Sequence, residues 1–218
     1  MISTRNLSAL PAIEQLIQLA KSLATLDAII ERNWQGRYYS FNSRWDANEQ
    51  MSSMRNGEGD AWFCVFGPQG AFLKGFDHES RMARTINETG TVWPGVLSEV
   101  PKEFEAFAKE PAFSMQETTF CVWCGANDHQ WRKGRIEYPE GHDPDGSAKL
   151  LRILDRNPNT YRQWAESYYR RPIGPQAVEH IYSHSPLTDA VVRELNPNTD
   201  IPDLLEDLAE IGYALSAN

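Results

Sequence analysis

Apolar residues Ile13, Leu16, Ile17, Ala20, Leu23 and Ile30 recur at three- and four-residue spacing, which predicts an amphipathic helix with Pro11 in its first turn. A break or restart is expected around Thr25–Asp27, and Gly36 closes the segment. The period then shortens. Tyr38 to Trp45 reads as an aromatic strand, and Asp46 is placed to cap a short helix carrying Met51 and Met54 and ending at Asn56-Gly57. Ala61 to Phe66 is apolar on both faces, as in a strand central to a sheet, and Gly67-Pro68-Gln69-Gly70 turns it into an antiparallel return over Ala71–Phe76. Residues 80–112 are mixed, with a loop at Trp93-Pro94-Gly95 and a helix opened by Pro101 through Phe104 and Phe107. Thr118–Cys124 is a further strand, with His129–Tyr138 its expected hairpin partner.

The sharpest change in pattern is the polar stretch from Pro139 to Gly146. Beyond it the chain reads as helices, on Leu150/Leu151/Leu154, on Tyr161/Trp164/Ala165/Tyr168 behind the cap candidates Asn159 and Thr160, on Val178/Ile181/Tyr182, on Leu187/Val191/Val192/Leu195, and on Leu204/Leu205/Leu208/Ile211. The fold class is therefore α+β: an N-terminal helix, an antiparallel β-sheet meander and a helical C-terminal extension. Two regions are expected, an α+β domain over 1–142 and a helical extension over 143–218 packed on it.

Composition narrows the function class. The 218 residues include 30 acidic and 21 basic side chains, a net charge of −9, and a 41% hydrophobic share ordinary for a globular chain. A net negative surface disfavours direct nucleic-acid binding and favours cationic partners. No apolar run reaches the roughly 18 residues of a membrane span, and no apolar signal-peptide core precedes the first helix. Three cysteines make no disulfide framework and suit a reducing compartment, so a cytoplasmic location is expected. Beyond Arg193 the chain has no Lys or Arg but holds Asp203, Glu206, Asp207 and Glu210, either a solvated helix face or a docking surface for a basic partner.

Candidate chemistry is sparse. Cys121-Val122-Trp123-Cys124 has redox spacing, but a strand period of two sends its thiols to opposite faces, so they neither pair nor share a metal. Gly57-Glu58-Gly59-Asp60 lacks the lysine of a phosphate loop and precedes a strand, so it reads as a turn. Lys133 and Arg135 alternate with Trp131 and His129 as a conceivable stacking patch. Asp77-His78-Glu79-Ser80 is the densest titratable cluster; it reads as capping and local hydrogen bonding, with Asp77 capping the next segment, or as a general base centred on His78.

Gly59-Asp60 before an apolar strand containing Trp62, a hairpin turning at Gly70, and a return strand ending Phe76-Asp77-His78-Glu79 together resemble the SUKH superfamily, over about residues 10–125 in outline. The helical end departs from that family's compact pattern. The resemblance implies an α+β fold and, as for many bacterial members, an immunity role: binding and neutralising a cognate protein toxin. No catalytic residue, cofactor or metal ligand is carried over. Gly59, Asp60, Trp62, Asp77, His78 and Glu79 are then structural motif residues. The expected partner is a basic toxin, such as a nuclease effector, gripped first by Asp203, Glu206, Asp207 and Glu210 and second by the loop acids Glu140, Asp143 and Asp145. A small hydrolase centred on His78 or His129, or a self-associating homodimeric scaffold, is the alternative.

Overall fold

In the computed structural model, which describes residues 1–216, the chain is α+β. Helix α1 (Ile13–Ile30) leads into strands β1 (Tyr39–Asp46), β2 (Glu49–Arg55), β3 (Ala61–Gly67) and β4 (Gly70–Phe76). Helices α2 (Arg81–Thr89) and α3 (Glu105–Ala108) precede β5 (Phe120–Gly125) and the two-residue β6 (Arg132–Lys133). Five helices complete the chain: α4 (Ser147–Leu150), α5 (Pro158–Tyr169), α6 (Pro175–Tyr182), α7 (Asp189–Leu195) and α8 (Ile201–Ile211). The six strands form one sheet in the order β1-β2-β3-β4-β5-β6, each antiparallel to the next. None of the helices among the described residues is long and apolar enough to cross a membrane.

Both faces of the sheet are covered, which explains the unbroken apolar run of β3. Trp62, Cys64 and Phe66 point into a cluster with Leu23, Leu26 and Ile29 of α1, Tyr161 of α5, Ile181 of α6 and Leu204 and Leu208 of α8. Val65 points the other way, to Phe72, Phe104, Phe107 and Phe113. Residues before and after position 142 thus share the larger cluster. Helices of 7 to 12 residues such as α5 to α8 are marginal alone in water, so their stability comes from the apolar faces they bury here. Cys121 lies in the second cluster and Cys124 in the first, so the thiols do face opposite sides of the sheet; Cys64, Cys121 and Cys124 are all free.

Four expectations need correction. The segment Asp46–Met54 forms no helix: Asp46 ends β1, and Met51 and Met54 lie in strand β2; they are three apart, a helix-face spacing, but in a strand that spacing sends them to opposite faces, and both faces are buried. Helix α1 runs unbroken and ends at Ile30; Gly36 closes a separate 3-10 turn. The return of β5 is only Arg132–Lys133 rather than His129–Tyr138. Finally, α2 is capped by Ser80, whose hydroxyl accepts from the Ala83 N–H, and α5 by Asn157.

Candidate functional site

The N-terminal ends of β1 and β3 and the C-terminal ends of β2 and β4 lie together, because neighbouring strands are antiparallel and linked by short turns. Register pairs Ala61 with Phe76, which places Asp60 beside the residues that leave β4, Asp77 and His78. The turn entering β3 is shaped by Asn56, whose Oδ1 accepts from the N–H groups of Glu58 and Asp60 at 2.8 and 2.9 Å. Gly59, at φ 115°, takes a conformation that L side chains rarely adopt.

Asp60 is the hub. Its Oδ1 accepts from the His78 backbone N–H at 3.0 Å and from His78 Nδ1 at 2.7 Å. Its Oδ2 accepts from Asn56 Nδ2 at 2.9 Å and Lys149 Nζ at 2.8 Å. Asp77 Oδ1 accepts from the Glu79 N–H at 3.0 Å and lies 3.4 Å from Lys149 Nζ. Lys149 is delivered by α4, whose free N–H groups are capped from outside: Asp143 accepts from Ala148 and Lys149 N–H at 3.0 and 2.9 Å, and Asp145 from Ser147 N–H at 3.0 Å. Gly146 precedes α4 at φ 76°, and a Cβ there would stand 2.2 Å from the Asp77 Cβ, so the approach of α4 to β4 requires glycine.

Charge follows this geometry. Burial pushes the Asp60 carboxyl up, but the bonds from Lys149 and His78 outweigh it and hold the group below the usual carboxylate range. For Lys149, burial is likewise outweighed by Asp60 and Asp77, and its ammonium is held above the lysine norm. The Asp60 bond raises His78. Burial raises Asp77, against the Glu79 N–H bond. Asp60, Asp77 and His78 present ligand atoms within 4.8 Å of one another, a donor set suited to a cation. The Lys149 ammonium already bridges the two carboxylates, so a metal ion would have to displace it.

Above this hub opens a cleft of about 510 Å³ lined by Tyr38, Asn56, Glu58, Asp60, His78, Glu79, Lys149, Trp164 and Tyr168. Its far wall is aromatic. Trp164 and Tyr168, one turn apart on α5, stack at 5.3 Å and 15°, and Tyr38 packs 4.7 and 5.1 Å from them. Tyr168 is 41% exposed; Trp34, 57% exposed, lines a separate pocket on the other side of Tyr38 and carries the Arg55 guanidinium 5.5 Å above its ring. With Nδ1 engaged by Asp60, His78 Nε2 has no protein partner among the described residues. Chemically the cleft offers an oriented imidazole, exposed carboxylates and aromatic faces.

The acids expected to grip a partner are largely engaged elsewhere. Asp207 pairs with Arg32 at 2.8 Å and Arg37 at 2.5 Å, tying α8 to the segment after α1. Asp203 forms a reciprocal capping box with Asp200 at the start of α8. Asp145, expected on an exterior loop, is buried and accepts from Thr4 and Ser147. Asp143 caps α4. Glu140, Glu206 and Glu210 are exposed but do not line the cleft. The stacking patch does not form either: Trp131 is buried, its indole N–H donating to Pro11 O at 2.8 Å.

Sequence reasoning assigned Glu58 to a turn, Tyr38 to a strand and Tyr168 to a helix face, and gave no site role to Lys149. The signal available was positional: Glu58 sits in a turn beside a strand start, and Trp164 and Tyr168 are spaced for one helix face.

Comparison of the chain with known protein families, curated proteins and solved structures finds no match.

Proposed function

We propose that this protein is a stoichiometric inhibitor of a basic protein, of the immunity type, working in the cytoplasm through the acidic, aromatic end of its sheet. The observation that carries this reading is the cleft, where exposed Tyr168 stands with Trp164 among Glu58 and Glu79. Tyr and Trp are the side chains that most often dominate binding energy at interfaces, and surrounding acids complement a basic partner. The resemblance of Gly59-Asp60 and Asp77-His78-Glu79 to the SUKH motif supports the same role, with a cognate bacterial toxin as partner. In this reading the hub of Asp60, His78 and Lys149 braces the platform without transforming a substrate.

The test is capture from the native host with two baits, wild type and a Glu58→Lys/Glu79→Lys double variant. Equimolar recovery of one basic protein by the wild type, lost with the variant, is expected. Equal recovery by both, or no equimolar protein, overturns the proposal.

A second reading has one specific observation in its favour. A buried carboxylate holding Nδ1 of a histidine whose Nε2 is open is the arrangement of a general base. It requires that His78→Gln abolish a hydrolytic activity while leaving partner capture intact.

A further inference from the structure

We infer that the cleft takes an arginine side chain presented by the partner, the guanidinium lying between the Tyr168 ring and the carboxylates of Glu58 and Glu79. This rests on the binding reading above and names its central contact.

Three features point to arginine. The first is charge. Asp60, Asp77, Glu58 and Glu79 face one ammonium and one imidazole, so the cleft is net negative with His78 in either state, and an anionic ligand is disfavoured. Lys149 leans on Asp60 and Asp77 and reaches Glu79 only at 3.9 Å, while Glu58 has no ion-pair partner among the described residues. The two exposed carboxylates therefore remain open to an incoming cation.

The second is shape. A stacked Trp164–Tyr168 pair with one exposed ring offers a flat, electron-rich face. A guanidinium is planar, lies flat on such a face and bonds a carboxylate through a fixed fork of two N–H groups, whereas an ammonium is a compact, strongly hydrated point charge without that plane or fork. The third is precedent in the chain itself, where the Arg55 guanidinium lies over the rings of both Trp34 and Phe63 at 5.5 Å. Arg55 directly precedes Asn56 of the cleft lining.

The experiment titrates the full chain with an acetylated, amidated Gly-Arg-Gly peptide and with its citrulline counterpart, which keeps the shape and loses the charge. Binding is read from amide and indole NMR shifts. Saturable shifts at His78, Glu79 and the Trp164 indole are expected with the arginine peptide, and binding at least about tenfold weaker with citrulline. Glu58→Gln/Glu79→Gln, at exposed positions, is expected to remove the shifts without moving the urea midpoint; Tyr168→Leu is expected to remove them too, with the midpoint lowered by the lost stacking on Trp164 and Tyr38. Equal binding of the two peptides, shifts that map to another surface, or no saturable shift by about 10 mM overturns the arginine assignment. If peptide binding fails while the wild-type bait still captures an equimolar basic protein that the charge-reversed bait loses, the binding reading stands and only the arginine contact falls.

Discussion

The buried carboxylate of Asp60 lies 2.7 Å from Nδ1 of His78, a residue 18 positions further along the chain that the β3–β4 hairpin returns to the same end of the sheet. Each group depends on the other for its charge state. Asp60 is held below its usual range, so its contribution to stability is present above about pH 4 and lost as pH falls through the lowered value. His78 is raised, so its contribution is complete below about pH 6.5 and lost as pH rises through the raised value. The pair is therefore strongest between these limits. Asp60→Asn is expected to return the His78 titration, followed by NMR, to the ordinary histidine range. It should also cost about 2–4 kcal/mol in urea unfolding, because the His78 N–H, its imidazole and Lys149 lose a buried anion.

Asp27 makes the opposite prediction. It is buried under α5, accepting from Tyr38 and Tyr39 N–H at 2.9 and 2.8 Å and from the Tyr161 hydroxyl at 2.6 Å. Burial outweighs those bonds and pushes its carboxyl up to about 6. A raised acid binds its proton more tightly folded than unfolded, so stability is expected to decline as pH rises from about 4 to about 6 and then level, by about 3 kcal/mol in all. Asp27→Asn, which mimics the protonated form, should flatten that slope. Asp27→Ala orphans three donors and should cost at least about 3 kcal/mol. Thermal melts across this pH range check both.

Lys74 is a buried cation on β4 with no carboxylate partner among the described residues, its ammonium donating to Glu117 O at 2.8 Å beside the Phe63 ring. Burial lowers its pKa to about 8, so the unfolded chain binds more protons between about pH 8 and 10.5, and stability rises with pH there. Lys74→Met should remove this dependence and raise stability at pH 7 by about 1–3 kcal/mol, as when a buried charge gives way to an apolar side chain of like volume. Denaturant titrations at pH 7 and pH 10 measure it.

Asp207 ties α8 to Arg32 and Arg37, the latter almost buried. Asp207→Asn is expected to cost about 1–3 kcal/mol and to leave partner capture unchanged, since its carboxylate faces its own arginines. Loss of capture with a fully folded variant would place the partner on α8 instead of the cleft.

Much of the architecture was legible from local pattern alone. The 3.6-residue repeat of α1, the doubly apolar run of β3, its Gly67–Gly70 turn and the spacing of Leu204 and Leu208 in α8 each reflect a period set by backbone geometry and which faces are buried. The same logic misled at Met51 and Met54. A sheet buried on both sides has no polar face to reveal its period, and three-residue spacing then mimics a helix.

The candidate site is a different matter. The sequence by itself determined that Asp60 and His78 flank one hairpin, because a tight turn between strands of equal length leaves the register little choice. Only the tertiary structure decided that Lys149, 72 positions from Asp77, would be the counterion of Asp60 and Asp77, and that Tyr168 would wall the cleft above them. It also decided that Asp145 and Asp207, acids indistinguishable in sequence from solvated ones, would be enclosed by partners of their own. Local periodicity follows from the backbone, whereas the pairing of charges depends on how separate helices settle onto a shared apolar face, and no short stretch of chain encodes that.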